Sequence, residues 1–210
     1  MTLVAGLSMV IAVAIASFGH PWLSSAASTM PSSSTAVSST QPPLASDPVP
    51  SPPMAHRGPP DQADGVLPND ATVFDEAYPG IAGLDPDLLR TLRQAATDAA
   101  VDGVAFHVDS GWRSREYQER LLHEAVSKYG SEAQAARWVA TPDTSAHVSG
   151  DAVDVGHSEA TAWLSERGAG YGLCQIYRNE PWHYELRPEA RDYGCPPMYA
   201  DPTDDPRMQQ

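Results

Sequence analysis

The chain has 210 residues, 27 acidic against 13 basic, for a formal net charge of −14, with 20 Pro, 15 Gly and 2 Cys. At roughly 100–200 residues per domain, this length holds one domain plus tails and excludes a multidomain enzyme. Twelve of the 13 basic residues are Arg, scattered from Arg57 onward without a run, so a phosphate-binding stripe is missing and nucleic acid is not an expected partner.

In chain order, Leu3 to Phe18 is uncharged and mostly apolar over 16 residues, the length of a signal-peptide core and short of the ~20 residues that span a bilayer. Ser25-Ala26-Ala27 offers the small residues of a cleavage site, whereas no Lys or Arg precedes the apolar run. Residues 1–27 are therefore expected to be a signal peptide or an N-terminal membrane anchor. Eleven of the 20 prolines fall between Pro21 and Pro68, among Ser, Thr and Ala. That composition cannot bury enough apolar area to offset the entropy of ordering, so 28–70 is expected to be a disordered linker. A leader followed by such a stalk implies export, with the folded part standing off a membrane or wall.

The periodic patterns begin near Ala71. Asp85-Pro86-Asp87 supplies an N-cap, a first-turn proline and an acidic residue ahead of Leu88, Leu89, Leu92, Ala95 and Ala96, predicting a helix closed by Gly103. Val104 to Val108 alternates as a strand, and Ser114 caps a second helix running to Lys128 and stopped by Gly130. A short helix is expected from Ser131 to Trp138, a strand at Ala152 to Val155, a helix from Ser158 to Arg167 stopped by Gly168, and strands Leu173 to Tyr177 and Trp182 to Leu186. Mixed helices and strands without a repeated βαβ unit imply an α+β domain over 71–197, a small antiparallel sheet flanked by helices, followed by a flexible tail at 198–210. Cys174 and Cys195, the only cysteines, are expected to pair in an exported chain.

Three segments carry the chemistry. His147 and Asp154 are seven positions apart across Gly150, a bend that can bring an imidazole and a carboxylate to one metal ion. Glu180 stands three residues ahead of His183 in Glu180-Pro181-Trp182-His183. Alone, the first segment reads as a surface histidine and a turn carboxylate, and the second as a strand histidine hydrogen-bonded in the core beside a solvated turn carboxylate. Together they supply three ligands, His147, Asp154 and His183, and a base, Glu180, as a catalytic zinc site requires. Arg113, in Ser110-Gly111-Trp112-Arg113-Ser114, lies at a strand-to-helix junction, where a guanidinium fork suits a carboxylate or a developing oxyanion. His157, three residues past Asp154, is the rival ligand.

The order S-G-W-R-S (110–114), S-A-H-V-S-G-D-A-V-D (145–154) and E-P-W-H-Y (180–184) resembles the VanY-like D-alanyl-D-alanine carboxypeptidases, zinc peptidases that share the Hedgehog/DD-peptidase fold. The resemblance covers about residues 75–190. It implies Zn²⁺ on His147, Asp154 and His183, Glu180 as general base, and Arg113 and Ser145 on the substrate. The expected partner is a peptidoglycan stem peptide that loses its terminal D-Ala outside the cytoplasm, and the protein is expected to act as a monomer. A related dipeptidase or endopeptidase, and a wall-binding module of the same fold without turnover, are the competing readings.

Overall fold

The central strands alternate between two faces, and that alternation organises the molecule. The computed structural model describes residues 59–209, so the leader and most of the linker expected at 1–70 lie outside the described residues. Four short strands, β1 (His107–Ser110), β2 (Ala152–Gly156), β3 (Leu173–Gln175) and β4 (His183–Leu186), form one antiparallel sheet in the order β1-β2-β4-β3. Val153 and Val155 of β2 and Tyr184 of β4 turn one way, with Val108 of β1. They pack under Leu88, Leu92, Ala95 and Ala99 of α2 (Pro86–Val101) and Ala160, Trp163 and Leu164 of α6 (Ser158–Tyr171). Asp154, His183 and Glu185 turn the other way, since successive residues of a strand project to opposite faces.

The remaining helices are α1 (Pro79–Ala82), α3 (Arg115–Tyr129), α4 (Glu132–Ala135), α5 (Ala146–Ser149) and α7 (Ala190–Tyr193). Asp85 caps α2 by accepting from Asp87 N and Leu88 N at 2.9 and 3.0 Å, and Ser114 caps α3 by accepting from Tyr117 N at 3.0 Å; each satisfies amide groups left open in the first turn. Among the described residues no helix is long and apolar enough to cross a membrane.

Several expected boundaries are corrected. α6 does not stop at Gly168 but runs to Tyr171, with Gly172 as its left-handed cap. Gly168 sits inside the helix because a Cβ there would lie 2.6 Å from Leu173 O: its smallness serves close packing. The first strand begins at His107 rather than Val104, because pairing to β2 starts at His107 opposite Gly156. Residues 176–182, expected in part as strand, form the connection that carries Glu180. The folded part starts before residue 71. Gln62–Asp64 form a 3-10 turn, and the buried Asp64 accepts from Ser114 Oγ at 2.7 Å and from Arg120 at 3.0 Å. Nor are residues 198–209 of the expected tail loose. Residues 202–204 and 206–209 are 3-10 turns, and Asp201 and Asp205 are buried. Ion pairs from Arg137 and Arg207 make that burial tolerable. Cys174 and Cys195 are bonded, joining β3 to the chain just past α7.

Candidate active site

Gly150 governs how the first ligand meets the second. It closes the four-residue α5 in the left-handed region at φ +84°, and a Cβ there would lie 2.4 Å from Gly83 O, so no other residue fits. The chain reverses at that point and enters β2, bringing His147 of α5 over Asp154. Asp154 is the direct cross-strand partner of His183, and opposed residues of an antiparallel pair share a face. Turn and register thus converge three side chains from two strands and one helix.

The three donor atoms form a triangle. His147 Nε2, His183 Nδ1 and Asp154 Oδ1 are each 3.3 Å from the other two, and all three residues are buried. A tetrahedral ion with bonds of about 2.0 Å has edges of about 3.3 Å between its ligands, so the triangle has the size of one face of a zinc site. The second nitrogens agree with this. His147 Nδ1 lies 2.8 Å from Gly111 O; a carbonyl can only accept, so Nδ1 carries the proton and Nε2 keeps its lone pair for the triangle. His183 Nε2 faces the buried Glu185 Oε1 at 3.3 Å, which leaves Nδ1 to face inward.

The electrostatics separate the roles. Burial, reinforced by the Arg113 charge, pushes His147 below the usual histidine range and keeps it neutral. Burial would raise Asp154, but His147, His183 and Arg113 outweigh it and hold its carboxyl well below the usual range. Burial would lower His183; hydrogen bonds to Asp154 and Glu185 prevail and raise it to about 9. In the metal-free protein this ring holds a proton that a metal must displace.

Glu180 stands apart. Its Oε2 is 3.9 Å from His183 Nδ1, and its Oε1 is buried with no hydrogen-bond partner among the described residues. Burial, with a smaller contribution from the Asp154 charge, raises its carboxyl to about 7 despite His183 nearby. Buried acceptors are almost always paired; an unpaired one beside a metal-sized triangle is placed to receive a proton from something that enters the site.

Arg113 reaches Asp154 Oδ2 at 2.8 Å while donating to Ser110 Oγ at 2.7 Å and Gln118 Oε1 at 3.2 Å. Ser145, buried, precedes α5 and lines the same cavity of about 220 Å³ as Arg113, His147, Glu180 and His183. His157, the rival ligand, is not in the cluster. It precedes α6 with φ +68° and lies against His107, ring centroids 4.6 Å apart. The sequence reading overlooked Glu185, although it follows His183 by two on the same strand and so shares its face. It also overlooked Gln118 and Tyr177, which contact the site from elements whose approach no local pattern reveals.

Residues 82–189, just over half of the chain, match the family model of VanY, described as D-alanyl-D-alanine carboxypeptidase. A curated relative, a D-alanyl-D-alanine carboxypeptidase of Enterococcus faecalis (strain ATCC 700802 / V583), is 36% identical over 41% of each chain. The chain thus spans about two-fifths of that relative's length. Among solved structures, a mutant of the vancomycin-resistance D,D-pentapeptidase VanY in complex with Zn(II) is 31% identical, covering 49% of this chain and 72% of its own at a TM-score of 0.46. VanYB in complex with D-alanine-D-alanine is 30% identical over 49% and 71%, also at 0.46. The family model spans both metal-ligand candidates of β2 and β4, the turn before β2 and the Glu180 connection, and the chain belongs to the VanY family of D-alanyl-D-alanine carboxypeptidases.

Proposed function

We propose that the protein is a zinc-dependent carboxypeptidase that removes the terminal D-Ala from peptides ending in D-alanyl-D-alanine, peptidoglycan stem peptides being the natural class. The observation that carries this reading is the buried Glu180 Oε1, without a hydrogen-bond partner among the described residues, beside the 3.3 Å donor triangle in a cavity also lined by Trp138 and Trp182. His147, Asp154 and His183 would hold the ion, and bound zinc supplies a Lewis acid and a water of lowered pKa. Glu180, with its carboxyl near 7, takes the proton of the attacking water and later delivers it to the departing amine nitrogen, so one group serves as base and then as acid. Arg113 commits three of its five N–H groups to Ser110, Gln118 and Asp154. It thereby fixes Asp154 and keeps two for a substrate carboxylate or carbonyl oxygen. Ser145 is a wall of that pocket. The Cys174–Cys195 bond suits a compartment outside the cytoplasm, where wall peptides are found.

The test is mass spectrometry of a D-alanyl-D-alanine-terminated pentapeptide incubated with the full chain. Loss of a single alanine with zinc and no loss with chelator is expected. An intact peptide that nonetheless binds would favour the wall-binding reading, and release of a dipeptide would move the cut by one bond.

A further inference from the structure

Two contacts on His183 from outside the donor triangle, those of Glu185 and Tyr177, are tied to the C-terminal strap. This strap, residues 196–209, lies beyond the segment that matches the family. It is rooted at the Cys174–Cys195 bond, pairs Tyr199 with Ile176 and Arg178 through backbone hydrogen bonds of 3.0 Å, and is held by Arg137 Nε on Asp201 at 2.7 Å. Arg207 then reaches back across the sheet to Glu185, with Nη1 on Oε2 at 2.7 Å and Nη2 on Oε1 at 3.2 Å, while Asp205 braces the same guanidinium. Glu185 is wholly buried, and its Oε1 is the partner of His183 Nε2 at 3.3 Å. A second tether reaches the same imidazole: the Tyr177 ring lies 5.2 Å from it, centroid to centroid, and Tyr177 Oη donates to Asp205 at 3.0 Å.

We propose that Arg207, acting through Glu185, is a positioning residue for His183, so that the C-terminal strap determines whether Nδ1 points into the donor triangle. The proposal rests on the reading of His183 as a metal ligand. A carboxylate behind a ligating histidine fixes both its tautomer and its tilt. A wholly buried carboxylate stays in one place only if its charge and lone pairs are satisfied. Arg187 satisfies Oε2 alone, at 2.5 Å; the oxygen that faces His183 is held by Arg207. Without Arg207, Oε1 has no second partner and swings about the Arg187 contact, and the imidazole loses the acceptor that fixes Nε2.

The test uses the full chain as wild type, Arg207→Ala, Arg207→Lys and Arg137→Ala, the last removing the strap's other ion pair without touching Glu185. Zinc affinity is read by chelator competition, ligand geometry by the visible spectrum of the Co(II)-substituted protein, and turnover as separate kcat and KM. Arg207→Ala is expected to weaken zinc binding by about ten- to hundredfold, to shift the Co(II) bands, and to lower kcat with little change in KM. Arg207→Lys should recover part of each, and Arg137→Ala should lower Tm while leaving zinc affinity and spectrum as in the wild type. Wild-type zinc affinity and Co(II) bands in Arg207→Ala, even with a lowered Tm, would overturn the proposal and leave the strap a structural clamp. Equal loss of zinc in Arg137→Ala would overturn it too, by showing that any loosening suffices. Should Arg207→Ala not fold, Arg207→Gln carries the same readings. A wild type without stoichiometric zinc would instead overturn the ligand reading itself, before any variant is compared.

Discussion

Replacing Glu180 by Gln should abolish most of the activity and stabilise the metal-free protein at the same time. Burial lifts this carboxyl from an ordinary 4.5 to about 7, so at pH 8 the folded state carries a buried charge that the unfolded chain carries in water. At 1.36 kcal/mol per pH unit, that rise costs the fold up to about 3 kcal/mol. A raised carboxyl contributes fully below about 4.5, and the contribution disappears as pH rises to about 7. The amide has no charge to bury, and since Oε1 has no partner to lose, Glu180→Gln should gain about 6–12 °C in Tm at pH 8 and almost nothing at pH 4, for a domain of about 150 residues. Turnover of a D-alanyl-D-alanine peptide should fall by about 10²–10⁴, the usual worth of acid–base assistance, with zinc stoichiometry unchanged. Calorimetry of chelated protein across pH, paired with kinetics of the zinc form, measures both. A variant that is inactive yet less stable at pH 8 would show instead that Glu180 holds the structure together; loss of zinc would make it a ligand.

Three other outcomes are expected. His183, raised to about 9 between Asp154 and Glu185, stabilises the metal-free fold fully below about 6.5 and loses that contribution as pH rises through about 9. Because zinc displaces its proton, affinity should climb with pH up to about 9 and then level; titration by chelator competition at several pH values checks the slope, and a flat profile contradicts it. Reduction of Cys174–Cys195, which closes 21 residues, should cost about 3 kcal/mol and free the root of the strap. Activity should therefore decline at reductant concentrations that leave the far-ultraviolet signal unchanged, and full activity in the reduced protein would show the strap to be self-supporting. Arg113→Lys keeps the charge but cannot hold Ser110, Gln118 and Asp154 together. It should weaken zinc binding by about tenfold and raise KM more than it lowers kcat, whereas an unchanged zinc affinity would free Arg113 from any part in holding Asp154.

The parts of this molecule that declare themselves in sequence are those whose signals are local. Asp85-Pro86 and Ser114 start helices where caps must be, Gly130 ends one, and the seven-residue spacing of His147 and Asp154 across Gly150 encodes a turn that only glycine can make. The two strands that carry the ligand candidates Asp154 and His183 show in sequence, whereas their direct pairing is set by the register of β2 against β4. Gly168 misled because a glycine that ends a helix and one that lets a strand approach look alike in a string; only the Leu173 carbonyl beside it tells them apart. Four-residue α1 and α5 are too short for periodicity to show. The C-terminal strap reads in sequence as a tail because its order comes from ion pairs with Arg137 and Glu185 that lie 64 and 22 residues away. The role of Glu185 was legible from strand alternation; that of Arg207 was not legible at all.

The metal centre is tested most simply by a zinc titration of the chelated full chain, with D-alanine release from a D-alanyl-D-alanine-terminated peptide measured at each addition. Activity should be absent without metal, rise linearly, and reach its plateau at one equivalent in the wild type, while His147→Ala and His183→Ala gain no activity at stoichiometric zinc. Activity that survives chelation, or a plateau reached equally by the two histidine variants, would contradict the assignment of His147, Asp154 and His183 as the metal centre.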